Sequence, residues 1–206
     1  PSLSNQDRTE IYQNKNKTLA LLHGVDYKKI GLEDYGKPGN YVARQVARWS
    51  KQYRASETDD IEAMNNLIDW LPKNIPDDDE TSIVHGDYRL DNMILKNNQV
   101  MGILDWELST LGHPIADFSY HCLSWRTQEA FWDQAKLKEL GVPSEKEYMD
   151  MYCENTGKDL SKNWEFYMAF NMFKIAGILQ GILGRVRDGT ASSKHAEDRG
   201  MMVYPL

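Results

Sequence analysis

The sequence is poor in the residues that build covalent or metal-bound scaffolds. Among its 206 residues there are only two cysteines, Cys122 and Cys153, and no Cys-x-x-Cys pair occurs. This excludes a zinc knuckle and gives no support to a disulfide framework. Low cysteine usage instead favours an intracellular, reducing compartment.

Long hydrophobic runs are also missing. The most apolar helical stretch, residues 175–183, is interrupted by Gln180 and bounded by Lys174 and Arg185. It is shorter than the roughly 20 apolar residues that a membrane-spanning helix needs. Residues 1–17 are too polar for a secretory signal. We therefore expect neither a membrane span nor a secretory signal.

The chain has no excess of positive charge. It carries 24 Lys and Arg against 31 Asp and Glu, which gives a net charge of -7. This balance disfavours a broad nucleic-acid-binding face, so phosphates could bind only at a local site with a metal or a helix N-terminus. The hydrophobic share of 41% and the charged share of 27% fit an ordinary globular chain, long enough for one sizeable domain or one large lobe.

Helical periodicity is present along most of the chain. One apolar face steps by four, three and four residues, through Val42, Val46, Trp49 and Tyr53. Similar patterns predict helices over residues 8–23, 58–71, 117–125, 127–140 and 161–187. Ser144-x-x-Glu147 is a capping box that begins a further helix. Residues 31–40 are predicted to form a loop, and residues 188–199 a mobile loop.

A small β element interrupts these helices. Residues 83–84, 93–95 and 100–104 are short apolar runs. Asn97-Asn98 separates the last two as a two-residue turn, because asparagine tolerates positive φ. The expected fold class is therefore α+β, mostly helical, with a small β-hairpin.

Polar residues lie where these strands begin and end. His85-Gly86-Asp87 ends the first strand, Asn92 precedes the second, and Asp105 ends the third. The hairpin should bring Asp105 back beside the loop, so that three oxygen-bearing side chains converge. Such a set suits Mg2+. Phosphoryl transfer needs one carboxylate to accept the hydroxyl proton, and a second carboxylate with an amide to hold the metal.

The motif His-Gly-Asp-x-x-x-x-Asn, followed by Ile-Leu-Asp, resembles the catalytic and metal-binding loops of the eukaryotic-like kinases. The His-Gly-Asp version, followed by Asp-Trp-Glu, is similar to the aminoglycoside phosphotransferase and choline kinase family. Residues 31–49 and 85–126 resemble in particular the kinase-like domain that is fused to acyl-CoA dehydrogenases. That stretch includes Gly-His-Pro-x-x-Asp-Phe at residues 112–118.

This resemblance implies a set of site residues and cofactors. Asp87 matches the catalytic base, and Asn92 and Asp105 match the metal ligands. The implied cofactors are ATP and Mg2+, and the implied substrate is a small-molecule hydroxyl. A hydroxyacyl compound carried as its CoA thioester is a reasonable acceptor, given the resemblance to proteins fused to acyl-CoA dehydrogenases.

Four further residues receive supporting roles from the resemblance. His85 matches a residue that braces the loop, and Asp117 matches a buried carboxylate that ties it together. Glu107 is a candidate either for a group that supports the metal ligands or for a ligand of a second metal. Arg89 could contact a phosphate or, equally, form a structural ion pair. The other histidines are expected to be structural or exposed: His113 and His121 by packing or capping, His23 at a helix end, His195 in solvent.

The chain departs from complete kinases of this type, which clamp ATP under a small lobe with a glycine-rich loop and a lysine. Neither is identifiable, because Gly36-Lys37-Pro38-Gly39 has the wrong spacing. Residues 1–206 are therefore expected to be the C-terminal large lobe, a fragment of a longer protein. We expect weak or no activity from this lobe alone, and self-association through its uncovered apolar face. By resemblance, the parent carries an acyl-CoA dehydrogenase domain and is mitochondrial or peroxisomal.

Two other functions remain open at this stage. One is a metal-dependent phosphohydrolase that would use His85, Asp87, Asp91, Asp105 and His113. The other is a kinase-like lobe that binds a ligand without catalysis. Aromatic residues after position 117 line an acceptor pocket or, by default, the core: Trp125, Trp132, Tyr148, Tyr152, Trp164 and Tyr167.

Overall fold

Helices account for most of the secondary structure. The computed structural model describes residues 3–127, 134–191, 193 and 195–203. The chain divides into two units, residues 1–39 with 79–164 and residues 40–78 with 165–206. In the described residues, β structure is limited to two antiparallel sheets of two strands each. The predicted α+β, mostly helical class is confirmed.

The helices and strands have the following bounds. The helices are α1 (Asn5–His23), α2 (Tyr41–Ser56), α3 (Glu62–Trp70), α4 (Pro114–Cys122), α5 (Gln134–Glu139), α6 (Glu145–Thr156), α7 (Trp164–Arg187) and α8 (Ala196–Met201). The strands are β1 (Ser82–Val84), β2 (Met93–Lys96), β3 (Gln99–Ile103) and β4 (Thr110–Gly112). Single 3-10 turns cover Leu71–Lys73, Leu90–Asn92, Trp106–Leu108 and Leu123–Trp125.

An aromatic stack joins α4 to α6 in the first unit. The ring of Phe118 lies 3.9 Å from that of Tyr152 and 5.8 Å from that of Tyr148, measured between centroids. All three residues are fully buried. Tyr148 and Tyr152 are four residues apart, so they lie on the same face of α6. The predicted capping box begins this helix, with Ser144 and Glu147 each accepting from the other's backbone N–H.

The two sheets hold the segment between β1 and β2 from both ends. β1 pairs with β4, with Ile83 opposite Leu111, and β2 pairs with β3. The predicted turn at Asn97 and Asn98 is confirmed, with φ of 50° and 61°. Asn98 Nδ2 also donates to Asp7 Oδ1 and to Glu10 Oε2, each at 2.8 Å. The hairpin tip is thereby attached to α1.

Several predicted boundaries were wrong. Helix α4 begins at Pro114 rather than at residue 117, because proline is favoured in the first helical turn, where its missing N–H costs nothing. Strand β4 was not predicted at all. Residues 188–199, predicted as a loop, include the start of α8. Of the predicted helix 127–140 the structure describes α5, while residues 128–133, including Trp132, lie outside the described residues.

The second unit contains the predicted helix face of α2. Its buried residues are Val42, Val46, Trp49 and Tyr53. Helix α7 approaches α2 closely through its glycines, since a Cβ on Gly184 would lie 3.2 Å from that of Ser56. Gln180 Nε2 donates to the carbonyl oxygen of Ser56 at 2.9 Å. The small residues of α7 therefore serve tight helix packing.

Helix α7 is also apolar enough to cross a membrane by length and composition alone. However, 56% of its most apolar window is buried inside the fold. The core helix of a globular protein passes the same test, so this is weak support for a membrane span.

Replacing Gly36 by alanine should destabilise the first unit, because Gly36 lies directly against β4. A Cβ there would come within 2.6 Å of the Leu111 backbone nitrogen. We expect Gly36→Ala to cost about 2 kcal/mol of unfolding free energy, measured by urea denaturation. Gly24→Ala is the matched control, since its Cβ would meet nothing nearer than 3.4 Å. Equal losses in the two variants would contradict the close approach.

Candidate functional site

The loop from His85 to Asn92 connects β1 to β2 and depends on a glycine. Gly86 has a φ of +83°, a conformation that costs glycine little and other residues more. A Cβ on it would lie 2.8 Å from the carbonyl oxygen of Leu108. The loop therefore passes too close to the segment after β3 to accept a side chain at this position.

His85 attaches this loop to the end of β3. Its Nε2 lies 2.9 Å from the carbonyl oxygen of Leu104, and its Nδ1 lies 3.3 Å from the backbone nitrogen of Asp87. A carbonyl only accepts and a backbone N–H only donates, so the ring is neutral with its proton on Nε2. The residue is fully buried, and its ring packs 5.0 Å from that of Trp106. Both nitrogens are thus engaged in holding the loop.

Asn92 and Asp87 are in direct contact. The side-chain Nδ2 of Asn92 donates to the backbone oxygen of Asp87 at 2.9 Å and to its Oδ2 at 3.0 Å. Because both amide protons face Asp87, the Oδ1 of Asn92 is left to face another group. One carboxylate oxygen of Asp87 is likewise outside this contact. Of the three side chains predicted to converge, the structure thus brings Asp87 and Asn92 into direct contact.

Asp105 lies at the neighbouring strand end. The backbone N–H of Leu104 donates to the carbonyl oxygen of Asn92 at 2.9 Å, which extends the β2–β3 pairing by one step. Asp105 follows directly, with φ 63° and ψ 61°. This left-handed conformation is uncommon outside glycine, is most tolerated by Asn and Asp, and is often found at functional sites.

Asn92 and Asp105 supply oxygen donors that suit a hard cation. An amide oxygen and a carboxylate are typical protein ligands of Mg2+, which retains waters and phosphate oxygens for its other positions. Over the described part of the chain, no group of three or more His, Cys, Asp or Glu could hold a metal. By their chemistry, the amide oxygen of Asn92 and the carboxylate of Asp105 fit Mg2+.

Asp117 anchors the same loop from below. Its Oδ2 accepts from the backbone N–H of His85 at 2.9 Å, and its Oδ1 accepts from that of Gly86 at 2.8 Å. Nε2 of His23 lies 3.2 Å from Oδ2. Burial alone would raise the pKa of Asp117, but His23 and the two backbone N–H groups outweigh it and lower that pKa below its usual value. The group is thus a buried, fully bonded carboxylate.

Two buried histidines reach this region in a way that the sequence did not reveal. Nδ1 of His23 lies 2.6 Å from the hydroxyl oxygen of Tyr152. Nδ1 of His121 lies 2.7 Å from the carbonyl oxygen of Tyr88, and its Nε2 lies 3.1 Å from the hydroxyl oxygen of Tyr148. Burial, and then the charge of Lys15, lower the pKa of His121 well below its ordinary value. The expectation that His121 is a packing residue is correct, but its contact with the loop was missed.

A buried lysine also lies beneath the loop. The backbone oxygen of Lys15 accepts from the hydroxyl of Tyr88 at 2.8 Å. Its ammonium group lies 4.5 Å from the ring centroid of Tyr12. Burial lowers the pKa of Lys15 to about 8. No sequence pattern marked this residue, because it occupies one turn of an otherwise ordinary amphipathic helix.

The remaining predicted residues lie at the surface or in the core. Arg89 forms an exposed ion pair with Asp91 at 2.7 Å, and Glu107 is exposed on the 3-10 turn after Asp105. His113 is buried at the start of α4. Among the described residues, no three of the histidines and carboxylates in the hydrolase hypothesis form a group that could hold a metal. Most of the aromatic residues considered for an acceptor pocket are buried in the core, namely Tyr148, Tyr152, Trp164 and Tyr167.

Comparison with known proteins identifies relatives across the whole chain. A model of the phosphotransferase enzyme family (APH) matches residues 1–152. Acyl-CoA dehydrogenase family member 10 of Mus musculus is 44% identical over 213 residues, covering 100% of this chain and 20% of the relative. Family member 11 of Homo sapiens is 40% identical, covering 100% and 27%. The chain therefore spans only 20% to 27% of these relatives' length.

Solved structures share the fold. A crystal structure from Ralstonia eutropha, provisionally assigned as an aminoglycoside phosphotransferase, is 52% identical with a TM-score of 0.93. The match covers 100% of this chain and 64% of that one. Choline kinase from Cryptosporidium parvum has a TM-score of 0.62 at 12% identity, covering 98% and 66%. At that identity the second match shows the fold alone, which is that of kinase-like phosphotransferases.

Replacing Asp117 by asparagine should loosen the loop in a pH-dependent way. Asparagine would place an amide N–H group against backbone N–H donors that need an acceptor. We therefore expect the free energy of unfolding to fall by about 3 kcal/mol at neutral pH. The pKa of Asp117 is lowered in the fold, so its stabilisation is present above about 3.8 and is lost as the pH falls through the lower folded value. Urea denaturation should show the gap between wild type and variant narrowing in acid.

Asp26→Asn provides the control for this measurement, since Asp26 is an exposed residue whose carboxylate pairs with nearby Lys29. It should change the free energy of unfolding much less than Asp117→Asn does. A difference for Asp117→Asn that stays constant across the acid range would show that the carboxylate's charge is not what holds the loop.

Proposed function

We propose, from the premise that this chain belongs to the phosphotransferase enzyme family, that it forms the catalytic lobe of a kinase that transfers phosphate from ATP, with Mg2+, to a small-molecule hydroxyl. One observation carries the proposal. The side chains of Asp87 and Asn92 are hydrogen-bonded at 3.0 Å, and the backbone of Asn92 is bonded to the residue before Asp105. The proposed base and the two proposed metal ligands therefore belong to segments that are hydrogen-bonded to each other.

Each residue then has a task that its contacts suit. Asp87 accepts the proton of the acceptor hydroxyl and orients that oxygen for attack, while the Asn92 amide keeps the carboxylate from turning. Asn92 Oδ1 and the Asp105 carboxylate would hold Mg2+, which when bound neutralises the charge of the ATP phosphates. Glu107, exposed two residues later, is available to a second ion. Arg89 pairs with Asp91 and is less suited to a phosphate.

The nucleotide site requires more protein than this chain supplies. The hairpin and the turn after it expose Ile94, Leu95, Met101, Leu104, Trp106 and Leu108, each by 37% or more. Several large apolar side chains exposed within one short segment are a feature typical of interaction sites. We propose that the chain is the large lobe, and that a small lobe elsewhere in the whole protein covers this face and completes the ATP pocket. Isolated, the large lobe would be weak or inactive and would self-associate.

The proposed acceptor is based on the names of the relatives. The two curated relatives are named as acyl-CoA dehydrogenase family members, which supports a hydroxyacyl-CoA as the acceptor. It also supports an acyl-CoA dehydrogenase domain in the same polypeptide. A phosphorylation screen of the full-length protein with ATP and Mg2+, against hydroxyacyl-CoAs and against amino alcohols, tests this acceptor directly.

Asp87→Asn should abolish phosphate transfer in the full-length protein. Asparagine cannot accept the hydroxyl proton, so kcat should fall by about a thousandfold or more. The Kd for ATP should stay within about threefold, because Asp87 is not proposed to hold the nucleotide. Asp69→Asn, at an exposed position of α3, is the control and should leave kcat unchanged. Release of phosphate from a monoester without any nucleotide would instead identify a hydrolase.

Asp105→Asn should weaken binding of the metal–nucleotide complex. Loss of one of two protein ligands to Mg2+ should raise the Kd for Mg-ATP about tenfold or more, measured by calorimetry at increasing Mg2+. Binding of ATP without the metal should change little, which separates a ligand role from general damage. A protein in which neither this change nor Asp87→Asn alters any activity would be a binding lobe rather than a kinase.

A further inference from the structure

We propose that His23 is a positioning residue for this reaction: its imidazole fixes the carboxylate of Asp117 and, through it, the backbone of the loop that carries Asp87. His23 touches none of the reacting groups. The kinetic part of the inference rests on the proposed kinase function, whereas the structural part does not.

The contacts of His23 fix both its ring and its proton. The residue ends α1 and is buried. Its Nε2 lies 3.2 Å from Oδ2 of Asp117, and its Nδ1 lies 2.6 Å from the hydroxyl of Tyr152. A carboxylate only accepts, so Nε2 must carry a proton, and the tyrosine hydroxyl can then donate to Nδ1. The ring is held between α4 and α6 with both nitrogens engaged.

The bond to Asp117 orients a carboxylate that already serves two donors. Oδ1 accepts from Gly86 and Oδ2 accepts from His85, while His23 approaches Oδ2 from α1. The Asp117 side chain is only 3% exposed, so water has little access to substitute for a lost donor. Without His23, one lone pair of a buried anion is left unsatisfied, and rotation of the carboxylate would strain the bonds to the two amides.

The loop position matters because Asp87 follows these amides directly. A misplacement of a catalytic group by about 1 Å can cost about a hundredfold in rate. Tyr88, the residue on the other side of Asp87, is held in a parallel way by His121 at its carbonyl oxygen. Each histidine is paired with a tyrosine of α6, at positions one helical turn apart. The residues on both sides of Asp87 are thus linked to the same helix, α6, through His23 and His121.

Three substitutions separate positioning from simple stability. His23→Gln places an amide nitrogen near the Nε2 position and keeps a donor for Asp117. His23→Asn is shorter, keeps a group near Nδ1 for Tyr152 and loses the bond to Asp117. His23→Leu removes both. We expect kcat to fall about tenfold to a hundredfold in the Asn and Leu variants, to recover to within about threefold of wild type in the Gln variant, and KM to change little.

Two measurements on the full-length protein accompany the kinetics. Thermal unfolding should show similar stability for the Gln and Asn variants, so that their difference in kcat does not follow stability. Hydrogen exchange by mass spectrometry should be about tenfold faster at residues 84–88 in His23→Asn than in His23→Gln. His195→Gln, at an exposed histidine, is the control and should match wild type in both.

Several outcomes would overturn the inference. If all three variants keep kcat within about twofold, or if kcat falls in parallel with thermal stability in all of them, His23 does not position the loop. If the wild-type protein transfers no phosphate to any acceptor, the proposed kinase function fails, and the exchange data alone decide. Faster exchange in His23→Asn than in His23→Gln would then still support the link from His23 through Asp117 to the loop. Equal exchange in the two variants would contradict that link.

Discussion

The carboxylate of Asp117 is the point where three separate parts of the chain meet. A buried anion is unfavourable unless its oxygens are bonded, and here two backbone N–H groups and a histidine provide the bonds. Further hydrogen bonds hold the rest of the loop. His85 bonds to the residue before Asp105, and Asn92 bonds to Asp87. Helix α1, helix α4 and the end of β3 are thereby all connected by hydrogen bonds to one short loop.

The electrostatics of the site follow from what surrounds this loop. Asp87 lies in the loop and Asp105 follows the strand β3 that pairs with β2, in a chain of net charge -7. The arginine of the loop is already paired with Asp91. Two carboxylates with so little local compensation create a negative potential that attracts divalent cations. The phosphates of a nucleotide would be repelled by the same potential unless a metal arrived with them. Such a potential would favour the proposed use of a nucleotide that binds together with Mg2+.

Local patterns predicted much of this architecture, and contacts distant in sequence account for most of what they missed. The helix face through Val42 and Tyr53, the capping box at Ser144 and the Asn97-Asn98 turn each depend on neighbouring residues, so the sequence alone was sufficient. The motif also placed Asp87 beside Asn92. In contrast, β4 exists because Leu111 pairs with Ile83, and His23 contacts Asp117 across 94 positions. Sequence periodicity does not predict such long-range contacts, because they arise from tertiary packing.

The buried ammonium of Lys15 has a practical consequence for anyone who studies this chain. Its pKa of about 8 lies in the middle of the range of common laboratory buffers. A sample kept about one unit below that value has a positive charge sealed under the loop, and a sample kept about one unit above it has mostly lost that charge. Two preparations that differ only in buffer pH therefore differ in the fraction of Lys15 that is protonated. Rates, affinities or melting curves gathered under such mismatched conditions should not be pooled.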